Sequence, residues 1–239
     1  MSKEAADMVL LDDNFASIVN AVEEGRTIYE NIRKFVRYTM SSNIGEIIAV
    51  LLAPLLGLPI PLTAVQILWI NLVTDGLPGL ALGIELTAPD TMKRPPHSPT
   101  ESVLARGLAT YMLWVGPLMG VVALLPEFVG TEALAQLDES VWRTMVFTTL
   151  CLSQLGNALS IRSDRLTLLQ LGVFTNRPLV GAVLLAFLLQ MGVVYLPFAQ
   201  RIFGTQALTL GQLALSLALS SIVFAAVEVS KWARQRMER

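Results

Sequence analysis

The sequence predicts an all-α membrane protein with six transmembrane helices. Of its 239 residues, 54% are hydrophobic and 15% are charged, whereas an average soluble domain carries about 25% charged residues. The charged residues are clumped, and the apolar stretches between the clumps approach the ~20 residues that cross a bilayer as a helix. Lysine and arginine also divide unevenly between the two sides that these stretches define.

The same composition argues against other classes of protein. So few charges make an ordinary soluble globule a poor description, and the long apolar runs exclude a disordered chain. No basic face is present for nucleic acid, so the expected surroundings are a lipid bilayer. A single cysteine, Cys151, excludes an internal disulfide framework and a multi-cysteine metal cluster.

Residues 14–37 are predicted to form a stalk helix that stands in water. Asn14 ends a short run of residues typical of a helix N-cap, and apolar residues then recur at helical spacing from Phe15. No proline interrupts residues 14–53. A helix of about 40 residues would be roughly 60 Å long, so it should continue from water into the membrane.

Residues 38–230 are predicted to form the transmembrane domain. Residues 57–61 favour a tight turn after the first span, and 86–101 a polar, proline-containing connector after the second. A tail, 231–239, should follow in the cytoplasm. The six predicted spans are 38–56, 61–84, 104–126, 141–160, 178–198 and 210–230.

The distribution of lysine and arginine predicts the orientation of these spans. With six spans, both termini lie on one side of the membrane. That side collects fifteen of the 17 basic residues, and the other side keeps Arg143 and Arg201. Because basic loops stay in the cytoplasm, both termini are expected there. The alanine- and leucine-rich spans suggest a bacterial plasma membrane.

Two carboxylates are predicted to lie deep in the membrane, Glu46 in the first span and Asp75 in the second. A carboxylate at the bilayer centre costs roughly 2.5–3.5 kcal/mol on insertion scales. Neither span has a basic residue at that depth to pair with an acid. Asn43 shares a helix face with Glu46, and Asn71 shares one with Asp75. Such clusters are typical of a functional site.

The second span is expected to be unwound near its middle. Pro78 lacks a backbone donor and clashes with the preceding turn, which would leave carbonyl groups near Thr74 free. Interrupted spans with polar residues at mid-membrane indicate transport sites.

The donor atoms of this region predict which ligand it holds. Carboxylate, amide, hydroxyl and carbonyl oxygens suit hard cations such as Ca²⁺, Mg²⁺, Mn²⁺ or Na⁺ rather than copper or zinc. In the fourth span, Gln154 is as well explained by helix–helix bonding as by a supporting ligand role. The candidate metal ligands are Asn43, Glu46, Asn71, Thr74 and Asp75.

Four strings of residues stand out, SSNIGE from Ser41, QILWINLVTDGLP from Gln66, DTMKRPP from Asp90 and ADMVLLDDNF from Ala6. These strings resemble P-type cation-transporting ATPases, most closely the calcium-pump branch of the sarco/endoplasmic-reticulum type and its bacterial relatives. The resemblance implies that the six spans are similar to spans five to ten of a ten-span pump. It also implies that residues 1–13 are the remnant of a phosphorylation domain.

The resemblance implies ion-binding roles as well. Asn43 and Glu46 look like ligands of the fifth span, and Asn71, Thr74 and Asp75 look like ligands of the sixth. Gln154 stands where two-site calcium pumps have a glutamate, so a second calcium site is in doubt. The implied cargo is Ca²⁺, with Mn²⁺ or Na⁺ as alternatives, and ATP and Mg²⁺ would serve only a complete pump.

The family's DKTGT, TGE, GDGxNDxP and PEGL motifs do not occur in these residues. The chain alone is therefore expected not to hydrolyse ATP. The first hypothesis is the cation-binding transmembrane half of an ATP-driven pump, completed by an N-terminal half with the A, N and P domains and spans one to four. The alternatives are a non-enzymatic membrane module, either a subunit of a split pump or a passive cation pathway, and an inactive truncated fragment.

Overall fold

A computed structural model describes residues 9, 14–88, 90–96, 98, 101–102, 104–129 and 138–237. This described part contains helices and connecting segments and no strand. Apart from Val9, the predicted remnant of a phosphorylation domain, 1–13, lies outside it. The α-helices are α1 (Phe15–Leu55), α2 (Ala64–Trp69), α3 (Gly76–Leu82), α4 (Leu108–Leu124), α5 (Glu139–Ser160), α6 (Leu168–Leu171), α7 (Arg177–Tyr195), α8 (Pro197–Phe203) and α9 (Leu210–Met237).

Helix α1 joins the predicted stalk and the first predicted span in one continuous helix of 41 residues. It begins after Asn14, whose side-chain oxygen accepts a hydrogen bond from the backbone N–H of Ala16 at 3.0 Å. This is the N-cap that the sequence predicts, because it satisfies a backbone donor that has no partner within the helix.

In the part of the chain that the structure describes, five helical segments are long and apolar enough to cross a membrane. They are Phe15–Leu55, Ala64–Leu82, Leu108–Glu127, Arg177–Tyr195 and Leu210–Met237. Each overlaps one of the predicted spans. The predicted span 141–160 coincides with α5, which is not among the five.

The surroundings of α5 explain why its composition differs. It packs against α4, α7 and α9, and 16 of its 22 residues are buried, including Thr148, Ser153, Gln154 and Asn157. A helix surrounded by protein does not need an apolar surface toward lipid, and its polar groups can bond to neighbouring helices. Six spans therefore stay a prediction, with α5 as the central one.

The second predicted span is not unwound as the sequence predicted. Between α2 and α3 the chain makes a π-helical turn, Ile70–Thr74, in which the N–H of Asp75 bonds to the carbonyl of Ile70 at 2.8 Å. The wider turn keeps the backbone bonded where an α-helix would meet Pro78. Single π turns inside α-helices are frequent at functional sites.

Three glycines bring α1 and α4 into close contact. A Cβ atom on Gly116 would lie 2.6 Å from Ile44 Cγ2, and one on Gly120 would lie 2.7 Å from the carbonyl oxygen of Gly45. Gly116 and Gly120, which form a GxxxG pair on α4, therefore allow the two helices to pack closely. This contact fixes the part of α1 that carries Glu46.

One end of the helix bundle is rich in lysine and arginine, and there the connector after α3 is hydrogen-bonded to α1. Arg26 donates to the carbonyl oxygens of Thr91 and Arg94, at 3.2 and 2.9 Å. Arg94 in turn binds Asp90 and Glu30. Its guanidinium holds the pKa of the Asp90 carboxyl below its usual range. The predicted extended connector thus follows the side of the stalk.

Candidate cation-binding site

Glu46 joins three of the helical elements through its carboxylate. It lies on α1 with 5% of its surface exposed. Its Oε2 accepts a hydrogen bond from Asn71 Nδ2 at 3.2 Å, and its Oε1 accepts one from Gln154 Nε2 at 3.3 Å. The structure therefore brings together three candidates that are far apart in the sequence. Both contacts are long for hydrogen bonds to a carboxylate, which are usually 2.7–2.9 Å.

Asp75 is the most isolated of the candidate residues. It lies where the π turn meets α3 and is 3% exposed. Within the described part of the chain, neither of its carboxylate oxygens has a hydrogen-bond partner. Glu46 is close enough for the two carboxylates to repel each other, and the hydroxyls of Ser42 and Tyr38 lie nearby. Two acids thus share a buried space without a base to neutralise them.

Thr74 presents both its side chain and its carbonyl group to neighbouring helices. Its hydroxyl lies 3.6 Å from the sulfur of Cys151 on α5. Its carbonyl oxygen accepts a hydrogen bond from the Tyr38 hydroxyl at 2.9 Å. The prediction of a free carbonyl at this position is therefore wrong. Pro78 withholds the usual backbone donor, and Tyr38 supplies another.

The two asparagines lie at the edge of the site. Asn43 is half-buried on α1 and makes no side-chain hydrogen bond to another candidate residue. Asn71 is exposed, and its amide also donates to the carbonyl oxygen of Ile67 at 2.9 Å. The π turn separates Asn71 from the buried Asp75, so the shared face expected for an α-helix is only partly realised. The acids are enclosed, whereas this edge is open.

Sequence reasoning did not find Tyr38 as part of the site and assigned Cys151 to packing. Both side chains are completely buried and both contact Thr74. Tyr38 stands at the start of a predicted span, where aromatic residues usually mark the membrane interface. Pro78 is the sequence feature that points to such a contact. The carbonyl group that loses its backbone donor to this proline needs another hydrogen-bond donor within the membrane.

The donor set defines what this site can do chemically. In the described residues, no group of three or more His, Cys, Asp and Glu side chains is placed to hold a metal ion. A cation would have to use the two carboxylates together with amide, hydroxyl and carbonyl oxygens. Such all-oxygen sets suit hard cations.

Comparisons with known proteins find similar sequences over most of the chain. The family described as "Cation transporting ATPase, C-terminus" matches residues 59–233. The chain is 46% identical to the calcium-transporting ATPase of Bacillus subtilis over 93% of its own length and 25% of that protein. It is 37% identical to the human calcium-transporting ATPase type 2C member 1 over 99% of its length and 26% of that protein. It is 35% identical to calcium-transporting ATPase 1 of Saccharomyces cerevisiae over 100% of its length and 25% of that protein. The chain thus spans about a quarter of the length of these relatives.

Proposed function

The chain belongs to the family of cation-transporting ATPases, whose C-terminal membrane region it matches, and we propose that it holds the transported cation, Ca²⁺, between α1, the π turn and α5. The proposed ligands are Asn43, Glu46, Asn71, Thr74 and Asp75, with Gln154 in support.

One observation carries the proposal: the Asp75 carboxylate is buried without a partner, beside a second buried carboxylate. Burying an ionised group without compensation is so costly that natural structures pair it with a base, a proton or a metal ion. Membrane acids of this kind mark ion pathways. A bound cation would neutralise Asp75 and relieve its repulsion with Glu46.

The kind of cation follows from charge and donor chemistry. Two carboxylates balance the charge of a divalent ion, and flexible sets of oxygen ligands favour Ca²⁺ over the strictly octahedral Mg²⁺. The similar relatives are named calcium-transporting ATPases. Mn²⁺ and Na⁺ use overlapping oxygen sites and are the competitors that an experiment has to include.

Gln154 has a divided role in this proposal. Its amide nitrogen donates to Glu46, and in the described structure its buried Oε1 has no partner. The oxygen is therefore available to a cation while the nitrogen positions the acid. A neutral amide binds Ca²⁺ more weakly than a carboxylate, so we propose one site rather than two.

Transport would require parts that the longer relatives contain. We propose that the chain acts with an N-terminal half carrying the A, N and P domains and spans one to four, which binds ATP and Mg²⁺. The N-terminal half of α1 would then transmit movements of a phosphorylation domain to Glu46. A multi-pass position in a bacterial plasma membrane, with both termini in the cytoplasm, completes the proposal.

Equilibrium binding of radioactive Ca²⁺ to the purified chain in lipid nanodiscs tests the site. Wild type should bind Ca²⁺, and Asp75→Asn should bind it about 100-fold more weakly, because a charge-assisted contact is lost. Asp138→Asn, which removes an exposed acid before α5, is the matched control and should bind like wild type. Equal affinity in wild type and Asp75→Asn, or no binding of Ca²⁺, Mn²⁺ or Na⁺ by wild type, would overturn the proposal.

The same measurement ranks the supporting residue. Gln154→Ala should weaken Ca²⁺ binding by about tenfold, less than Asp75→Asn, because a neutral ligand and an orienting hydrogen bond are lost rather than a charge. An effect as large as that of Asp75→Asn would contradict the supporting role.

A further inference from the structure

A second site lies at the end of the bundle that is rich in lysine and arginine. A cavity of about 80 Å³ opens there between α1, α4, α9 and the turn after α5. It has room for several water-sized atoms, which is the size of a single phosphate group. The charged residues in its wall are Arg37, Arg106, Asp164, Lys231 and Arg234.

The wall carries four basic side chains and one acid. Arg37 is buried, with 7% of its surface exposed. Both of its terminal nitrogens bind Asp164, whereas its Nε has no partner in the described residues. A buried donor with an unmade hydrogen bond is costly. Arg37 therefore favours an acceptor in addition to the one that it has.

Asp164 is a weak competitor for such an acceptor. Its side chain is 60% exposed, so water can solvate the carboxylate if it turns away from Arg37. Arg37 has no such alternative because its own side chain is 8% exposed. An anion that enters the cavity can thus share or replace the bonds of Asp164 at a small cost.

A neighbouring, larger cleft also carries basic residues. It measures about 600 Å³ and shares Arg37, Arg106 and Asp164 with the small cavity. Two of its other bases are already neutralised, since Arg162 binds Glu85 and Arg94 binds Asp90 and Glu30. In the small cavity, Arg37 binds Asp164, and Arg106 and Lys231 bind acids outside the wall. Arg234 makes no ion pair with a described acid. Arg234 is therefore the base of the small cavity whose charge is available to an anion beside Arg37.

The position of the cavity in the chain suggests where an anion comes from. Arg37 directly precedes the first predicted span, and Lys231 directly follows the last. In the predicted arrangement of spans, side chains at these places lie at the level of the lipid head groups. Basic pockets between transmembrane helices at this depth bind phosphorylated head groups.

We propose that this cavity binds a phosphate group, carried by the head group of an anionic phospholipid or by free phosphate. Arg37 and Arg234 bind its oxygens, and Asp164 holds Arg37 in place when the cavity is empty. The site is separate from the cation site and does not depend on it.

Binding to the purified chain tests the proposal with two probes. In the lipid arm, phosphatidylglycerol is titrated into phosphatidylcholine nanodiscs, and bound lipid is counted by native mass spectrometry. In the free-anion arm, inorganic phosphate replaces chloride at constant ionic strength, and the shift of the thermal unfolding midpoint is measured. Saturation with phosphatidylglycerol alone identifies a head-group site, saturation with phosphate alone identifies a free-anion site, and either result supports the proposal.

Three variants separate this site from general attraction to anions. Arg234→Gln should weaken binding about tenfold, and Asp164→Asn should strengthen it about tenfold because the competing carboxylate is gone. Arg236→Gln is the matched control, because Arg236 lies on the same helix, stacks on Trp232 at 4.0 Å and does not line the cavity. It should bind like wild type.

Three results would overturn the proposal. One is that neither probe saturates. Another is that Asp164→Asn binds no more tightly than wild type, since a purely structural ion pair would give weaker or unchanged binding. The third is that Arg236→Gln weakens binding as much as Arg234→Gln, which would indicate attraction by surface charge in general.

Discussion

Asp75 and Glu85 are buried acids ten positions apart in the sequence, with 3% and 8% of their surfaces exposed. Glu85 is fully bonded. Arg162 Nε and Nη2 reach its two oxygens at 3.0 and 2.9 Å, and Asn176 Nδ2 adds a bond at 2.8 Å. Asp75 has no partner in the described part of the chain. The two carboxylates are therefore buried to a similar extent, but only that of Glu85 is hydrogen-bonded.

The difference separates an acid that holds the structure from one that is kept available. The guanidinium of Arg162 also binds the carbonyl oxygens of Gly172 and Val173, so Glu85 anchors the end of the second span to the segment before α7. The Asp75 carboxylate makes no comparable bond to another described segment. Glu46 is intermediate, because its two partners are neutral amides that a cation can share.

Glu85→Gln should give the largest loss of stability. It leaves the Arg162 charge buried without its counter-ion, which costs about 3–5 kcal/mol in comparable pairs. The free energy of unfolding, measured in detergent, should fall by that amount. The double variant Glu85→Gln/Arg162→Met removes both charges and should recover most of the loss. Unchanged or raised stability in the single variant would show that Glu85 does not hold the structure.

Tyr38→Phe tests how the π turn is supported. The change removes one hydroxyl and leaves the Thr74 carbonyl without a donor, so the free energy of unfolding should fall by about 1–3 kcal/mol. Tyr195→Phe is the control. The Tyr195 hydroxyl also donates to a carbonyl oxygen, that of Leu208 at 3.1 Å, but the residue is partly exposed. The free energy of unfolding should therefore fall less in Tyr195→Phe than in Tyr38→Phe. Equal decreases would show that burial of the Thr74 carbonyl is unimportant.

Gly116→Ala tests whether packing, rather than bonding, positions Glu46. The added methyl group would lie 2.6 Å from Ile44 Cγ2 and 3.0 Å from the Ser41 carbonyl oxygen. Overpacking of this kind costs about 1–3 kcal/mol, and Ca²⁺ affinity should fall as well because α1 must move. Gly181→Ala on α7 meets nothing within 4 Å and should leave both quantities unchanged or slightly raise stability. Unchanged affinity in Gly116→Ala would separate the glycine contact from the site.

The sequence predicted the candidate acids because a carboxylate at membrane depth is conspicuous in a single chain. It also predicted the long first helix and its N-cap, since both depend on neighbouring residues. The Glu85–Arg162 pair was not predicted, because its members are 77 positions apart and no local pattern relates them. The number of spans could not be settled from the sequence for a similar reason. The polarity of α5 reflects the helices around it, which hydropathy along one segment does not report.

Asp75→Asn should have the smallest effect on stability and the opposite sign to Glu85→Gln. In cation-free buffer, removing a buried charge that has no partner should raise the free energy of unfolding by about 1 kcal/mol. Thermal unfolding with and without Ca²⁺ checks this, because wild type should gain stability from Ca²⁺ and Asp75→Asn should not. Destabilisation of the cation-free variant would mean that Asp75 is a structural acid like Glu85. A gain in stability together with the loss of Ca²⁺ stabilisation would indicate that wild type keeps a destabilising charge for the sake of its ligand.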